Sequence, residues 1–166
     1  VRGVCEQAGV SLANLNCPGQ IVLSGDADKM DAACEAAKAA GAKRAIPLPV
    51  AGAYHSPLMQ PAQAGLAETL ASVELREPSV PVYSNVTGKA HAGAASIAGT
   101  MVDQVTSSVR WEACIRAMIA DGVTRFIELG PGTALTGFMR RIDRGLEVLN
   151  VADNDSLAKS AEALNA

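Results

Sequence analysis

Apolar positions change their spacing along this chain, and each change marks an element. Val10, Leu12 and Leu15 sit among small and polar residues in a roughly alternating run, and Ile21-Val22-Leu23-Ser24 is a second run of strand type. Asn16-Cys17-Pro18-Gly19 between them is turn chemistry: proline presets a turn φ and glycine supplies a positive one. The pair predicts a β-hairpin. Before it, residues 2–8 read as the tail of a helix stopped by Gly9. After it, Asp26 is placed to cap a helix over residues 27–40, with Met30, Ala33, Ala37 and Ala40 at its apolar positions and Gly41 stopping it. Arg44-Ala45-Ile46-Pro47-Leu48 then predicts a returning strand. The order helix, hairpin, helix, strand becomes the ferredoxin-like β-α-β-β-α-β unit once a strand is supplied in front. Residues 1–49 therefore predict a small ferredoxin-like (α+β) subdomain with its first strand missing.

From Val50 onward, helices and short strands alternate. A helix is predicted over residues 57–73, with Leu58, Leu66, Leu70 and Val73 on one side, followed by a strand at 80–84 and a Gly/Ala-rich loop at 88–95. Ile97, Met101 and Val105 are spaced four apart and mark a helix ending near Ser107. A helix over 111–120 leads into a strand at 124–129. Then come the turn Gly130-Pro131-Gly132, a short helix with Thr133 as its cap, a strand at 146–151 and a terminal helix from Ser156. Strands alternating with helices predict an α/β layer with a mostly parallel sheet over residues 50–166.

Composition narrows the chemistry. Hydrophobic residues make up 49% of the 166 but aromatics only 3%, so the core must be aliphatic. A net charge of −3 gives no support to nucleic acid or an anionic membrane as partner. No apolar run approaches the roughly 18 residues of a membrane span, and the start, Val1-Arg2-Gly3-Val4, has no secretory pattern. Cys5, Cys17, Cys34 and Cys114 are scattered without metal or redox spacing, so no metal is expected. Free thiols in a reducing, cytoplasmic compartment are expected instead.

Of two histidines, His55 stands where the apolar run Ile46-Pro47-Leu48-Pro49-Val50 gives way to a helix start. Ser56 suits the N-cap, and Pro57 suits a first helical position whose N–H has no intrahelical partner. An imidazole there faces the positive end of the helix dipole, which favours its neutral form, the form a general base needs. Gln104 lies in the last turn of the helix marked by Ile97, where carbonyls lack intrahelical donors, so its carbonyl is free to accept a hydrogen bond such as an imidazole Nδ1–H. An exposed helix-end glutamine satisfies the same pattern. His91, in the Gly/Ala loop, reads as exposed and inert.

Three ordered segments carry a family resemblance: Asn14-Leu15-Asn16-Cys17-Pro18-Gly19-Gln20-Ile21-Val22-Leu23-Ser24-Gly25, then Gly41-Ala42-Lys43-Arg44-Ala45-Ile46-Pro47-Leu48-Pro49-Val50, then Tyr54-His55-Ser56-Pro57-Leu58-Met59. Val80-Pro81-Val82-Tyr83-Ser84-Asn85-Val86, Gln104 with Val109-Arg110-Trp111, and Glu128-Leu129-Gly130-Pro131-Gly132 continue it to essentially the whole chain. The set closely resembles the malonyl-CoA:acyl carrier protein transacylase family. That resemblance implies an α/β fold, part of an α/β-hydrolase-like acyltransferase core with an inserted ferredoxin-like subdomain. It also implies transfer of malonyl from coenzyme A, through a seryl ester, to the phosphopantetheine thiol of acyl carrier protein in fatty-acid synthesis. No cofactor is implied, and the intact enzyme is expected to be a monomer.

By the same resemblance His55 is the base, Gln104 orients it through its main-chain carbonyl, and Asn14, Asn16 and Asn85 lie near the acyl site. Those asparagines serve equally as turn and strand-end residues. Tyr54, a bulky aromatic just before the histidine, implies crowding of an α-methyl branch, worth about 1–3 kcal/mol; packing against the helix start is the alternative. The chain departs from the family in one respect that decides much. It contains no G-x-S-x-G, and Leu23-Ser24-Gly25 lacks the preceding glycine. The family's nucleophile elbow, oxyanion donors and carboxylate-binding arginine are expected upstream of Val1, so this chain alone is expected to be inactive. Arg110, Arg125, Arg140, Arg141 and Arg144 read as solvated or helix-end charges, the last three alternatively as contacts for an acidic carrier protein. Gly130-Pro131-Gly132 reads as a strand-to-helix turn and not a phosphate cradle. Two rivals remain open: an acyltransferase domain of a polyketide synthase, and a non-catalytic fragment or interaction module.

Overall fold

A computed structural model describes residues 1–165 as an α/β chain of helices and small sheets. It folds into two compact units, one of Val1–Asn16 with Gln20–Cys114, the other of Cys17–Gly19 with the chain from Ile115 onward.

In the first unit, helix α1 (Arg2–Ala8) ends on Gly9, which takes the left-handed conformation at φ 65° that glycine tolerates best. Strands β1 (Ser11–Cys17) and β2 (Gln20–Ser24) pair across the Pro18-Gly19 turn, as the sequence predicts. Helix α2 (Met30–Ala39) packs Ala33 and Met30 onto Cys5, Val10, Leu12 and Leu23, so the first half of the expected apolar face packs on the core, while Ala40 is exposed beyond the helix end. Gly25 is required by packing, since a Cβ there would lie 2.8 Å from Val10 Cγ1. Asp26 does not cap through its side chain: its carboxylate pairs with Lys29 Nζ at 2.7 Å, and a single 3-10 turn (Ala27–Lys29) precedes α2.

The returning strand predicted at residues 44–48 does not form. Pro47 and Pro49 have no N–H to donate, and the segment instead makes a local turn, Val50 N–H to Leu48 O at 2.9 Å. Ile46, Leu48 and Val50 are left 66%, 55% and 62% exposed. Of the ferredoxin-like order, the described residues thus contain the two helices and the hairpin, but not the closing strand.

A second 3-10 turn (Pro57–Met59) leads into α3 (Gln60–Leu70), which stops short of Val73. The strand predicted at 80–84 contracts to β3 (Tyr83–Ser84), because its antiparallel partner β4 (Lys89–Ala90) offers only two residues. β4 itself lies in the stretch read as loop. Helix α4 (Ala94–Gln104) starts under the Glu77 carboxylate, which accepts the Ala94 N–H at 2.7 Å.

Helix α5 spans Trp111–Ala120, as predicted, and buries Cys114 and Ile115. In the second unit β5 (Arg125–Leu129) and β6 (Glu147–Val151) run parallel over five residue pairs, with α6 (Ala134–Ile142) between them in sequence and α7 (Asn154–Asn165) after them. Arg125 is not a free charge; its Nε lies 2.6 Å from Glu147 Oε2 at the matched register. The expected Thr133 cap makes no side-chain hydrogen bond. Glu128 caps α6 instead, accepting the N–H groups of Leu135 (3.0 Å) and Thr136 (2.8 Å) and the Thr136 hydroxyl (2.6 Å). Burial opposes the charge on Glu128. Hydrogen bonds from Thr136, Leu135 and Asn150 outweigh it and hold the carboxyl below its ordinary range. Among the described residues no helix is long and apolar enough to cross a membrane, and no cluster of His, Cys, Asp and Glu is arranged to hold a metal. Cys5, Cys17, Cys34 and Cys114 are not joined in disulfides.

Candidate active site

The candidate site is built on the bend from Ala53 to Pro57, which begins with Ser56. That side chain is 1% exposed; its hydroxyl donates to Ala53 O (2.6 Å) and accepts the Leu58 N–H (3.3 Å) as the N-cap, with Pro57 at the first position. The bend forces His55 to φ 58°, a left-handed backbone adopted by no other non-glycine residue described here. Such a conformation costs an L-residue about 1–2 kcal/mol and persists only where its surroundings hold it.

What holds it on the other side is Gln104. As the last residue of α4, it has a carbonyl without an intrahelical donor. His55 Nδ1 lies 3.0 Å from that oxygen. A carbonyl can only accept, so Nδ1 carries the proton and Nε2 keeps an open lone pair. The two residues the sequence singled out are 49 positions apart and meet as expected.

His55 forms one wall of a cleft of about 400 Å³. Ser11, Thr106, Ser107 and Ser108 line it with hydroxyls, Leu12, Pro57 and Val86 with apolar surface, and Arg110 with a cation; no carboxylate faces it. Sequence reasoning named Pro57, Val86 and Arg110 but did not foresee these walls. They are assembled by Val109, which forms a parallel bridge with Asn14: its N–H donates to Ala13 O and its carbonyl accepts from Leu15, each at 2.8 Å. Ser108 Oγ donates to Leu12 O, and Arg110 N–H donates to Asn85 O at 2.8 Å. No local pattern announces such a bridge, although Val109-Arg110-Trp111 was part of the family resemblance. Arg110 is exposed and precedes α5, as expected of a solvated helix-end charge, yet it also borders the cleft.

The remaining candidates lie outside the cleft wall. Asn14 contributes its backbone to the bridge, and Asn16 is buried. Asn85 offers its carbonyl to Arg110 and its side-chain oxygen to the Cys114 thiol at 3.5 Å; the same thiol lies 3.3 Å from Ser84 O. Burial pushes the Cys114 thiol up, so it stays protonated and donates. Tyr54 is half exposed beside His55. His91 is not the exposed residue expected: it is partly buried, with Nδ1 3.2 Å from the Thr100 hydroxyl of α4. Arg140 and Lys159, together with Thr133 and Ser156, line a separate cavity of about 390 Å³ in the second unit.

Known proteins resemble this chain throughout its length. The acyl transferase domain family matches residues 2–159. Malonyl CoA-acyl carrier protein transacylase of Bacillus subtilis is 45% identical over 155 residues, covering 93% of this chain and 49% of that protein. The crystal structure of malonyl CoA-acyl carrier protein transacylase from Clostridium perfringens superposes with a TM-score of 0.95 at 38% identity, over 99% of this chain and 53% of the other. A malonyl-transacylase solved in complex with its type II polyketide synthase acyl-carrier protein gives a TM-score of 0.93 at 38% identity, over 97% and 53%. The chain spans about half the length of the relatives it matches.

Proposed function

Since the chain belongs to the acyl transferase domain family, we propose that it supplies the general base of a malonyl-CoA:acyl carrier protein transacylase of fatty-acid synthesis. One observation carries this reading: His55 Nδ1 is fixed on the Gln104 carbonyl at 3.0 Å, leaving Nε2 as the proton acceptor in a cleft. The nucleophile is a serine outside this chain. As the serine oxygen attacks the malonyl thioester carbon, its proton passes to Nε2, and the Nδ1–H···O bond helps hold the imidazolium that forms. Collapse of the tetrahedral adduct breaks the C–S bond, and the coenzyme A sulfur leaves with the Nε2 proton. In the second half the carrier thiol gives its proton to Nε2 and attacks the seryl ester, and the serine oxygen recovers the proton. The orienting group is a neutral carbonyl where other triads use a carboxylate, so it fixes the tautomer without adding a charge.

The finer fold assignment, a hydrolase-like core with an inserted ferredoxin-like subdomain, belongs to the same proposal. Exposed Tyr54 then borders the acyl group, and exposed Arg140, Arg141 and Arg144 suit an acidic carrier protein. Four cysteines without a disulfide suit the cytoplasm. A polyketide-synthase domain is the less favoured reading, since the Bacillus subtilis relative is a transacylase by name.

The test uses the full-length enzyme carrying this sequence. His55→Ala is expected to slow serine acylation by about 10²–10⁴-fold, measured as single-turnover labelling by radioactive malonyl-CoA; an unchanged rate removes the base assignment. The 166-residue chain alone is expected to take up no stable label, and covalent malonylation of it would place the nucleophile inside the chain.

A further inference from the structure

Gln104 approaches His55 twice. Besides its carbonyl at 3.0 Å from Nδ1, its side-chain amide nitrogen lies 3.5 Å from the same atom. The two contacts demand opposite tautomers. The carbonyl needs a proton on Nδ1, whereas the amide, as a donor, needs Nδ1 bare, which moves the proton to Nε2 and abolishes the base. A free histidine side chain leans toward the Nε2–H form, so the competent tautomer must be imposed by the fold.

The same amide nitrogen also lies 3.0 Å from Ser107 O, the shorter of its two contacts. Only this orientation of the amide is consistent with that neighbour, because the flipped group would set one carbonyl oxygen against another. The amide is therefore drawn toward the turn after α4, where Ser107 N–H in turn donates to Asp103 O at 2.9 Å. The Gln104 side chain thus closes a loop across the turn of residues 104–107 that follows its helix.

We propose that the Gln104 side chain is a positioning residue: by bonding the Ser107 carbonyl it holds residue 104's own carbonyl against His55 Nδ1 and selects the tautomer with a free Nε2. The proposal rests on the reading of His55 as the base and accounts for why glutamine, and not any residue with a backbone carbonyl, stands at this helix end. A side chain lacking the amide leaves the carbonyl in place chemically but releases its orientation.

The test needs no catalysis and uses the chain as it stands, labelled with ¹⁵N. Long-range ¹H–¹⁵N spectra above the imidazole titration report which ring nitrogen of each histidine is protonated, and only His55 and His91 contribute. The wild-type chain is expected to show His55 protonated on Nδ1. Gln104→Met, of similar length and without donors, is expected to shift the tautomer ratio toward Nε2–H by about 2–10-fold, the range that losing one hydrogen bond allows. His91, bonded to Thr100 within α4, reports that the helix is intact. An unchanged His55 pattern in a variant whose His91 signals are preserved overturns the proposal. An Nε2–H tautomer already in the wild type overturns the base assignment itself, so the two failures are told apart. Should Gln104→Met fail to fold, the wild-type chain still decides. The Gln104 side-chain amide protons are expected to exchange with solvent more slowly than those of exposed Gln7 and Gln60, and equal rates overturn the tie to Ser107.

Discussion

His55 is held at φ 58°, and substituting it separates backbone strain from side-chain bonding. Alanine keeps the left-handed penalty, about 1–2 kcal/mol for a residue with a Cβ, and loses the Nδ1 bond to Gln104, worth about 0.5–1.5 kcal/mol. Glycine loses the same bond but sheds the penalty, at a cost of about 0.5–1 kcal/mol from its freer unfolded chain. Subtracting the two leaves His55→Gly ahead of His55→Ala by up to about 1.5 kcal/mol. At an ordinary helix or strand site alanine is ahead by about 0.5–1 kcal/mol, so the sign of the difference is the test. Urea denaturation of both variants reads it directly. With a slope of about 1–3 kcal/mol per molar, 1 kcal/mol moves the midpoint by about 0.3–1 M. An alanine variant more stable than the glycine variant by the ordinary margin would refute the claim that this histidine is strained. If the claim holds, the candidate base is a place where the fold gives up stability to aim a side chain.

Two further expectations concern other parts of the chain. Glu128→Ala removes the α6 cap and is expected to cost about 0.5–2 kcal/mol at neutral pH, read by urea denaturation. Because the folded Glu128 carboxyl lies below its unfolded value, its contribution is present above the unfolded pKa and lost as pH falls through the folded one. Wild type and variant should therefore converge in acid, and a gap that persists there contradicts the assignment. A thiol reagent on the native chain should modify half-buried Cys34 ahead of the buried Cys5, Cys17 and Cys114. Burial pushes the Cys5 and Cys114 thiols up, further slowing their reaction. Simultaneous modification of all four, followed by mass spectrometry, would contradict the buried positions.

What could be read from the chain itself was whatever depends on neighbours a few residues away. The hairpin turn at Pro18-Gly19, the α5 span, the Ser56 cap with Pro57 behind it and the placing of Gln104 in the last turn of its helix, which ends three residues before the Ser107 expected, all follow from local periodicity, capping and missing donors. His55 and Gln104 were both legible for that reason, each marked by a helix terminus. An orphan carbonyl made their meeting across 49 positions possible, the family resemblance implied it, and the structure has the contact.

Tertiary structure decided the points at which two distant segments compete for one hydrogen bond or one face. Residues 44–48 have a strand-like pattern but no ladder, because a strand exists only with a partner and Pro47 within the run and Pro49 just after it each lack an N–H to donate. Thr133 is the better cap by type, yet Glu128 reaches α6 from the end of β5 and takes the site. The left-handed His55 and the cleft walls raised by the Val109–Asn14 bridge are likewise set by contacts far apart in sequence. The sequence by itself determined which residues have the chemistry and which helix ends present them. Only the fold determined that a carbonyl meets the imidazole at Nδ1, because that depends on where a carbonyl from another helix points.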